Sequence, residues 1–333
     1  MLRSRLGWFL VVASLLLHAF TVLTYSVQPD RLAAFTVLPF WLWCGMGLGL
    51  SVVAYYFLKA SLSLIVSGIW AITLLIGSDE CKVLANIGKQ PPITGQAEPY
   101  RGKPVIRVAS LNCALLGKGD PSLDLARWQP DIVLLQEVLP DQVQQISTTL
   151  FGKQGDFRYH QTNAVITRWK IRHEIRNHTY RNMQVSVITP TGMEIKILNL
   201  HLLSAATDLQ LWRRDAWKRH HDNRRQRKIE LSNALQMLEE TSRFPNQATI
   251  IGGDFNAPAT DVVHRQLKEF ATDAFQASGT GWGNTFPWRF PILRIDFLYA
   301  TNHLTPVRCR AVTTRHSDHR LVIADFITHP NPY

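Results

Sequence analysis

Three long apolar runs fill most of the first 80 residues. They cover residues 6–27, 32–58 and 60–77, and little more than Lys59 separates the second run from the third. A helix needs about 20 apolar residues to cross the roughly 30 Å hydrocarbon core of a bilayer. The pattern therefore predicts three transmembrane helices, with a tight turn at Lys59 between the last two.

The pattern changes after residue 104, where short apolar runs rich in β-branched residues alternate with helical periodicity. Such runs, bounded by turn residues, are typical of strands, and interleaved helices indicate an α/β domain. The predicted strands are 105–112, 131–138, 164–168, 183–190, 193–202, 248–255, 294–301 and 321–328, and the predicted helices are 120–128, 140–150, 208–240 and 260–270. The chain is thus divided into a membrane anchor (1–80), a linker rich in Pro, Gly and polar residues (81–104) and a two-sheet α/β domain (105–333).

Positive charges near the apolar runs predict their orientation. Arg3, Arg5 and Lys59 fall on one side of the membrane if there are three spans, so the positive-inside rule places the N-terminus in the cytoplasm. Three crossings then put the α/β domain outside. A cleaved signal peptide is the alternative for the first run, but further apolar runs follow it, and no small-x-small cleavage site ends it.

Charge and cysteine content restrict the function classes. The first 80 residues hold four basic and three acidic residues, which leaves 32 basic and 22 acidic residues, a net charge of about +10, for the rest. This excess favours a polyanionic partner such as a phosphorylated substrate, an anionic lipid or nucleic acid. The four cysteines (Cys44, Cys81, Cys113 and Cys309) form no CxxC pair and predict no zinc site. A disulfide in an oxidising compartment remains open.

Polar residues recur next to the predicted strands. We place them at the carboxyl ends of those strands, where a rigid sheet can present side chains to one shared cleft. Carboxylates bind hard cations such as Mg²⁺, and imidazole groups can orient or deprotonate water. Taken singly, each residue could instead serve a turn or a helix cap. The residues are Asn112, Glu137, His201, Asp254, Asn256, Asp296, Asp318 and His319.

Their order along the chain resembles a known enzyme family. The segments SLN, LLQEV, NLHL, GGDFNAP, RIDFLYA and SDHR, with NAVITR between the second and third, are similar to the successive motifs of the endonuclease/exonuclease/phosphatase family. The resemblance implies a four-layer sandwich of two mixed β-sheets flanked by helices. It also implies a hydrolase that acts on phosphate ester bonds and depends on Mg²⁺, with Mn²⁺ as a possible substitute.

The resemblance assigns metal binding to three residues. Glu137 would be the main ligand, with Asn112 and Asp318 near the ion. The tyrosine with which family members contact substrate has no clear counterpart here, and Tyr159 is the candidate.

The catalytic roles also follow from the resemblance. Asp254 would orient or deprotonate the attacking water, and Asn256 would bind a phosphoryl oxygen. Asp296 would hold the tautomer of His319, which would contact the scissile phosphate as hydrogen-bond donor or general acid. His201 would be a second histidine on the phosphate side.

The apolar runs and the stretch GWGNTFP further resemble bacterial membrane phosphatases of the vancomycin-resistance VanJ type. A phosphatase or pyrophosphatase acting on a lipid-linked or small phosphate at the outer membrane face is therefore the leading hypothesis. A membrane-tethered nuclease, a sphingomyelinase-like phosphodiesterase and a binding protein on an inactive enzyme fold are the alternatives. The basic stretch 212–228, which contains Trp212 and Trp217, would lie on anionic headgroups or be an ordinary solvated helix face. Oligomeric state is not predicted.

Overall fold

The computed structural model describes residues 2–88, 93–94, 97–176, 179–204 and 210–329. Its helical region, residues 2–88, contains five helices: α1 (Leu2–Val27), α2 (Ala33–Thr36), α3 (Phe40–Leu58), α4 (Ser61–Gly77) and α5 (Asp79–Leu84). Helices α1 and α3 are long and apolar enough to cross a membrane, whereas α4 is apolar but has only 17 residues. The structure thus contains two clear candidate spans where the sequence predicted three.

The second predicted span, 32–58, is divided in the structure. Pro39 has extended backbone torsion angles and precedes α3, because proline and the residue before it disfavour a continuous helix. The residues before Pro39 contact the α/β domain instead: Asp30 accepts from Lys228 at 2.8 Å, and Thr36 accepts from Arg224. The predicted turn at Lys59 is present, and Lys59 ends α3 in the left-handed conformation.

Twelve strands form two six-stranded sheets in the remaining chain. The strands are β1 (Val105–Asn112), β2 (Ile132–Gln136), β3 (Asp156–His160), β4 (Asn163–Thr167), β5 (Ile171–Arg176), β6 (Asn182–Ile188), β7 (Glu194–His201), β8 (Thr249–Asp254), β9 (Ala271–Asp273), β10 (Asp296–Thr301), β11 (Leu304–Val312) and β12 (Leu321–Thr328). The first sheet has the order β11-β12-β1-β2-β4-β3, and the second has the order β5-β6-β7-β8-β10-β9. Both are mixed, because β1 pairs with β2 and β7 with β8 in parallel while the other pairs are antiparallel.

Helices cover the outer faces of both sheets. They are α6 (Ser122–Ala126), α7 (Pro140–Phe151) and α8 (Arg214–Thr241). A further short helix, α9 (Ala274–Ser278), contributes Ala274 and Phe275 to the cluster between the sheets. Leu134 of the first sheet and Ile197 of the second belong to one buried cluster between the sheets. Ile146 of α7 and Leu238 of α8 belong to separate clusters on the outer faces. The predicted four-layer α/β sandwich is therefore confirmed.

Strands with few apolar residues escaped the sequence prediction. Strands β3 and β5 lie at sheet edges and carry mostly polar residues, β9 has only three residues, and β11 is interrupted by a bulge at Pro306. The predicted helix 260–270 is wrong. A short 3-10 helix, Val262–Gln266, begins after Asp261, whose carboxylate accepts from the amide of Val263 and faces buried Arg224.

Two predicted segments begin differently in the structure. The predicted linker 81–104 starts inside α5, whose Asp79 accepts from Arg294 of the α/β domain. Asn86, which follows α5, donates to the carbonyls of Gln276 and Gly279. Its residues 89–92 and 95–96 lie outside the described residues. The helix predicted at 208–240 begins at Arg214, and residues 208–209 are likewise not described.

Candidate active site

Four strands bring polar side chains to one edge of the sandwich. In the parallel pair β1 and β2, Asn112 aligns with Gln136, and Glu137 follows at once. In the parallel pair β7 and β8, His201 aligns with Asp254. The carboxyl ends of parallel strands meet at the same edge of a sheet. This edge, the site edge, holds Asn112, Glu137, His201 and Asp254 as predicted.

Three of the predicted residues lie at the beginnings of strands and not at their ends, which corrects the prediction. They are Asp296, Asp318 and His319. Asp296 is the first residue of β10, which is antiparallel to β8, and it aligns with Asp254. Asp318 and His319 precede β12, which is antiparallel to β1. An antiparallel strand begins where its neighbour ends, so residues that start β10 and β12 meet residues that end β8 and β1.

Unusual backbone angles turn the chain at this edge. Gly253 has a φ of 126°, and a Cβ atom there would lie 2.0 Å from the carbonyl oxygen of Leu200. Only glycine fits that position. Glu137 and Asn256 also have positive φ values, of 50° and 49°. Residues other than glycine rarely adopt these left-handed backbone angles. Where they do so at functional sites, the surrounding structure holds them in that conformation.

Asp254 is a buried carboxylate held by amide groups. Its Oδ1 accepts from the backbone amide of Asn256 at 2.8 Å, and its Oδ2 accepts from Nδ2 of Asn112 at 3.0 Å and Nδ2 of Asn256 at 3.1 Å. Burial and the nearby charge of Asp296 raise the pKa of Asp254 to about 7. This carboxylate can therefore both release and accept a proton near neutral pH.

His319 and Asp296 form a buried pair. The Nδ1 atom of His319 lies 2.9 Å from Oδ2 of Asp296, and the backbone amide of His319 donates to Ser317 Oγ at 2.9 Å. Burial by itself would lower the pKa of His319. The Asp296 carboxylate, aided by Asp254 and Asp318, outweighs burial and raises that pKa to about 10. The ring is thus an imidazolium at neutral pH, and its Nε2 does not take part in the bond to Asp296.

His201 is the second histidine at the site edge. Its Nε2 lies 3.5 Å from Oε1 of Glu137 and 3.9 Å from Oδ2 of Asp254. Burial, together with the positive charges of Arg181 and His319, lowers the pKa of His201 to about 3. The ring is therefore neutral at physiological pH, so these contacts join carboxylates to an uncharged imidazole and are not ion pairs. Sequence reasoning missed Arg181, which no quoted motif contains.

Two groups at the site edge could hold a cation. Ligand atoms of Asp254, Asp296 and His319 all lie within 4.8 Å of one another. Glu137 is the second candidate, because one third of its side chain is exposed and its Oε1 lies 3.2 Å from Nδ2 of Asn112. The oxygen of Asn112 accepts from the amide of Ala114, so its nitrogen faces the carboxylates.

The structure also places the two remaining predictions. Asp318 lies beside His319, and its backbone carbonyl accepts from the amide of Trp288 at 2.8 Å. Tyr159 lies on edge strand β3, pairs with Ala164 and packs against the buried cluster on the outer face of the first sheet. Among the described residues, no hydrogen bond joins Tyr159 to the site edge.

A buried amide pair joins the two sheets directly behind the site. Gln136 Nε2 donates to Asn199 Oδ1 at 2.7 Å, and Asn199 Nδ2 donates to the carbonyls of Leu135 and Ala164. Sequence reasoning gave neither residue a role, although both lie inside the motifs LLQEV and NLHL. Their polarity within runs otherwise apolar was the available signal, because a buried amide needs partners.

Several solved structures share this fold. An endonuclease/exonuclease/phosphatase from Bacteroides vulgatus is 16% identical, with a TM-score of 0.54 over 68% of this chain and 100% of that one. A mannosyl-6-phosphatase from Bacteroides thetaiotaomicron is 16% identical, with a TM-score of 0.54 over 67% and 99%. Truncated TDP2 of Caenorhabditis elegans is 20% identical, with a TM-score of 0.51 over 67% and 98%.

The comparison with curated proteins found no match. A family profile, in contrast, matches residues 109–319, which begin in β1 and end at His319 and so include every residue of the site edge named above. That range is more than half of the chain. The chain therefore belongs to the Endonuclease/Exonuclease/phosphatase family.

Proposed function

We propose that this protein is a membrane-anchored, metal-dependent phosphoesterase that hydrolyses a phosphate ester or pyrophosphate at the outer face of the membrane. Members of its family are hydrolases that act on phosphate esters. The single observation that supports the proposal best is that a buried base and a buried acid lie together at the site edge. Asp254 has a pKa of about 7 and can accept a proton, whereas His319, paired with Asp296, has a pKa of about 10 and is protonated. Sites that combine an acid and a base in this way perform proton-transfer chemistry.

The chemistry of the donor set fits Mg²⁺ or Mn²⁺. Glu137, Asp254 and Asp296 offer carboxylate oxygens, which hard cations prefer, and the buried Oδ1 of Asp296 has no hydrogen-bond partner among the described residues. We propose that Glu137 is the main ligand, that Asp318 lies near the ion, and that Asn112 orients Glu137 through its amide nitrogen or turns its oxygen to the ion. A bound divalent cation would neutralise phosphoryl oxygens.

The protein's own side chains would then handle the protons. Asp254, held by Asn112 and Asn256, would take a proton from the attacking water. His319, kept protonated and oriented by Asp296, would present Nε2 to the phosphoryl oxygen or the leaving group. Asn256 and neutral His201 would orient the phosphate by hydrogen bonds.

The helical region supports a membrane anchor of three spans. At 1.5 Å per residue, the 17 residues of α4 extend about 26 Å, which nearly covers a bilayer core of about 30 Å. The connections at residues 28–39 and 78–88 both contact the α/β domain, whereas Arg3, Arg5 and Lys59 lie at the other helix ends. This arrangement agrees with a cytoplasmic N-terminus and an external α/β domain.

A lipid-linked or small phosphorylated substrate is the class we favour. The Bacteroides thetaiotaomicron neighbour is named a mannosyl-6-phosphatase, and an anchored domain has ready access to lipid phosphates. The exposed basic residues of α8 would also suit nucleic acid, so a membrane-tethered nuclease is the second candidate. A sphingomyelinase-like phosphodiesterase is the third.

A phosphate-release screen tests the proposal. The full chain in detergent would be offered prenyl pyrophosphates, sphingomyelin, sugar phosphates, inositol phosphates and DNA with Mg²⁺, and Asp254→Asn would be the control for contaminating activity. We expect turnover of at least one phosphate ester by the native chain and almost none by the variant. Cleavage of DNA alone would favour the nuclease, and no turnover of any substrate would contradict an active enzyme.

A further inference from the structure

A cavity of about 500 Å³ lies where the helical region meets the α/β domain. One wall comes from the apolar helices α1 and α4, and the other from the segment that follows the site edge. The wall residues that matter here are Val22, Ile72 and Ile76 on the apolar side and Lys82, Arg265 and Lys268 on the polar side. We call this space the junction cavity.

The polar side of the junction cavity carries three exposed cationic side chains. Arg265 donates to the backbone carbonyl of Ser26 at 2.6 Å, a bond that leaves its charge uncompensated. Within the described part of the chain, no carboxylate lies within 4.0 Å of Lys82, Arg265 or Lys268. Three positive charges therefore face one cavity.

The two carboxylates in the cavity wall already have partners. Asp79 accepts from Arg294 at 2.8 Å, and Asp261 accepts from Arg224 at 3.1 Å. Asp79 also interacts with the charge of Lys82, but neither acid neutralises Arg265 or Lys268. The junction cavity thus has a positive charge that a bound anion would balance.

The apolar side indicates which anion. Ile76 is 70% exposed and Val22 and Ile72 are also exposed, and all three lie on helices that we assign to the membrane anchor. A soluble anion would gain nothing from this wall, whereas a phospholipid places a phosphate and an acyl chain side by side. Basic residues next to a membrane surface favour anionic lipids.

We propose that the junction cavity binds one anionic phospholipid, with the phosphate at Lys82, Arg265 and Lys268 and an acyl chain along Val22, Ile72 and Ile76. The lipid would connect α1 and α4 with residues 259–268, which follow Asn256 of the site edge after two residues. The proposal rests on the membrane anchor proposed above, and it does not depend on the reaction.

Native mass spectrometry of the delipidated full chain in detergent tests the proposal. Phosphatidylglycerol and phosphatidylcholine would be titrated against the native chain and against a triple variant, Lys82→Gln, Arg265→Gln and Lys268→Gln. We expect the native chain to prefer phosphatidylglycerol, and the triple variant to bind it at least about tenfold more weakly, because each charge near an anionic lipid contributes severalfold in affinity.

Two further variants guard against a trivial result. The first is a control triple variant that removes three exposed cations outside the cavity wall, Lys153→Gln, Lys170→Gln and Arg172→Gln. We expect it to bind phosphatidylglycerol within about twofold of the native chain. Ile76→Trp should occupy the acyl-chain side and weaken phosphatidylglycerol binding while leaving all charges in place.

Several outcomes would overturn the lipid site. The proposal would be wrong if the triple variant bound phosphatidylglycerol as tightly as the native chain does. It would also be wrong if the native chain bound phosphatidylcholine as tightly as phosphatidylglycerol, or if inorganic phosphate displaced the lipid. Failure of the phosphoesterase proposal would be seen separately, because this measurement involves no turnover. If the chain left membranes without detergent, the anchor itself would be refuted, and the lipid site with it.

Discussion

Two buried aspartates at the site edge differ in their partners. Asp296 is bonded to an imidazolium, whereas Asp254 accepts hydrogen bonds only from amide groups, and burial together with the charge of Asp296 raises the pKa of Asp254. A carboxylate without a cationic partner keeps a raised pKa and can act as a base, while the paired imidazolium can act as an acid. The division of roles therefore follows from which side chain each aspartate meets.

Substitution of the proton-handling residues should abolish turnover without unfolding the protein. Asp254→Asn keeps the hydrogen-bonding shape but removes the base, and His319→Ala removes the acid, so each should lower kcat by about a hundredfold or more. Phosphate release and thermal unfolding would be measured together, with exposed Asp141→Asn as the matched control. If a variant retained more than about a tenth of native turnover, the substituted residue would not have the role assigned to it.

Metal dependence should be traced to Glu137. We expect EDTA to abolish turnover and added Mg²⁺ to restore it, and Glu137→Gln to weaken Mn²⁺ binding by at least about tenfold, because it removes the exposed carboxylate charge. Electron paramagnetic resonance of Mn²⁺ gives a binding readout independent of activity. If Asp296→Asn weakened Mn²⁺ binding while Glu137→Gln did not, the ion would belong to the group of Asp254, Asp296 and His319.

At the scale of elements, the amide pair Gln136–Asn199 fixes the first sheet against the second. Asn199 lies two residues before His201, and Gln136 lies one residue before Glu137. Because each amide is buried and bonded to the opposite sheet, the pair also sets how far the two ends of the site lie apart. The motif residues beside the chemical groups thus have a structural task.

Removing this amide should cost both stability and activity. Asn199→Ala leaves buried Gln136 Nε2 without its acceptor and removes an additional bond to the carbonyls of Leu135 and Ala164, so we expect a loss of about 1–3 kcal/mol for the unsatisfied amide. Urea unfolding should show the loss, and exposed Asn302→Ala should show almost none. A stability loss below about 1 kcal/mol would contradict the proposed connection.

Helix α8 divides the basic stretch 212–228 into two parts. Arg224 and Arg227 are buried near Asp261 of the same domain. Arg224 also donates to Thr36 and Lys228 binds Asp30, so these two residues hold the α/β domain to the helical region. Trp212, which precedes α8, is 82% exposed, and Arg213, Arg214 and Lys218 are also exposed. Only this first part remains a candidate membrane-facing surface.

Charge removal from the first part of α8 should separate lipid from soluble substrates. Replacing Arg213, Arg214 and Lys218 by Gln should weaken use of a membrane-embedded substrate by up to about 1 kcal/mol per charge and leave a soluble phosphate ester hydrolysed almost as before. Turnover in anionic vesicles and in detergent would be compared. Equal loss on both substrates would assign the charges to the fold or the active site.

At the scale of the whole molecule, a buried ion pair joins the helical region to the α/β domain. Arg294 donates to Asp79 at 2.8 Å and also to Asp273 at 2.8 Å. Its charge, opposed by burial, holds the pKa of Asp79 below its usual value. Breaking such a pair leaves a buried charge uncompensated, so the two parts are firmly connected on this side.

The connections that contact the α/β domain predict its membrane side. If α1, α3 and α4 all cross the bilayer, residues 28–39 and the whole α/β domain lie outside. Reporter fusions check this: a periplasmic-type reporter should be active after residue 329 and a cytoplasmic one after Lys59. A cytoplasmic reporter that was active after residue 329 would reverse the orientation.

The sequence by itself determined the class of fold, the family and most of the polar residues that lie at the site edge. Apolar runs of two different lengths distinguished the helical region from the sandwich, because a long apolar helix and a buried strand each need a run of characteristic length. The ordered motifs around Glu137, Asp254 and His319 carried the chemistry, since each lies within a few residues of a buried strand whose pattern is local.

Only the tertiary structure decided how those residues meet. Strand direction is not written in a local pattern, so Asp296 and His319 were placed at the wrong strand ends, and the polar edge strands β3 and β5 were missed. The burial of Arg224 and the junction cavity both arise from contacts between residues about 180 to 250 positions apart. Such contacts depend on how helices and sheets pack, which the order of residues along one segment does not show.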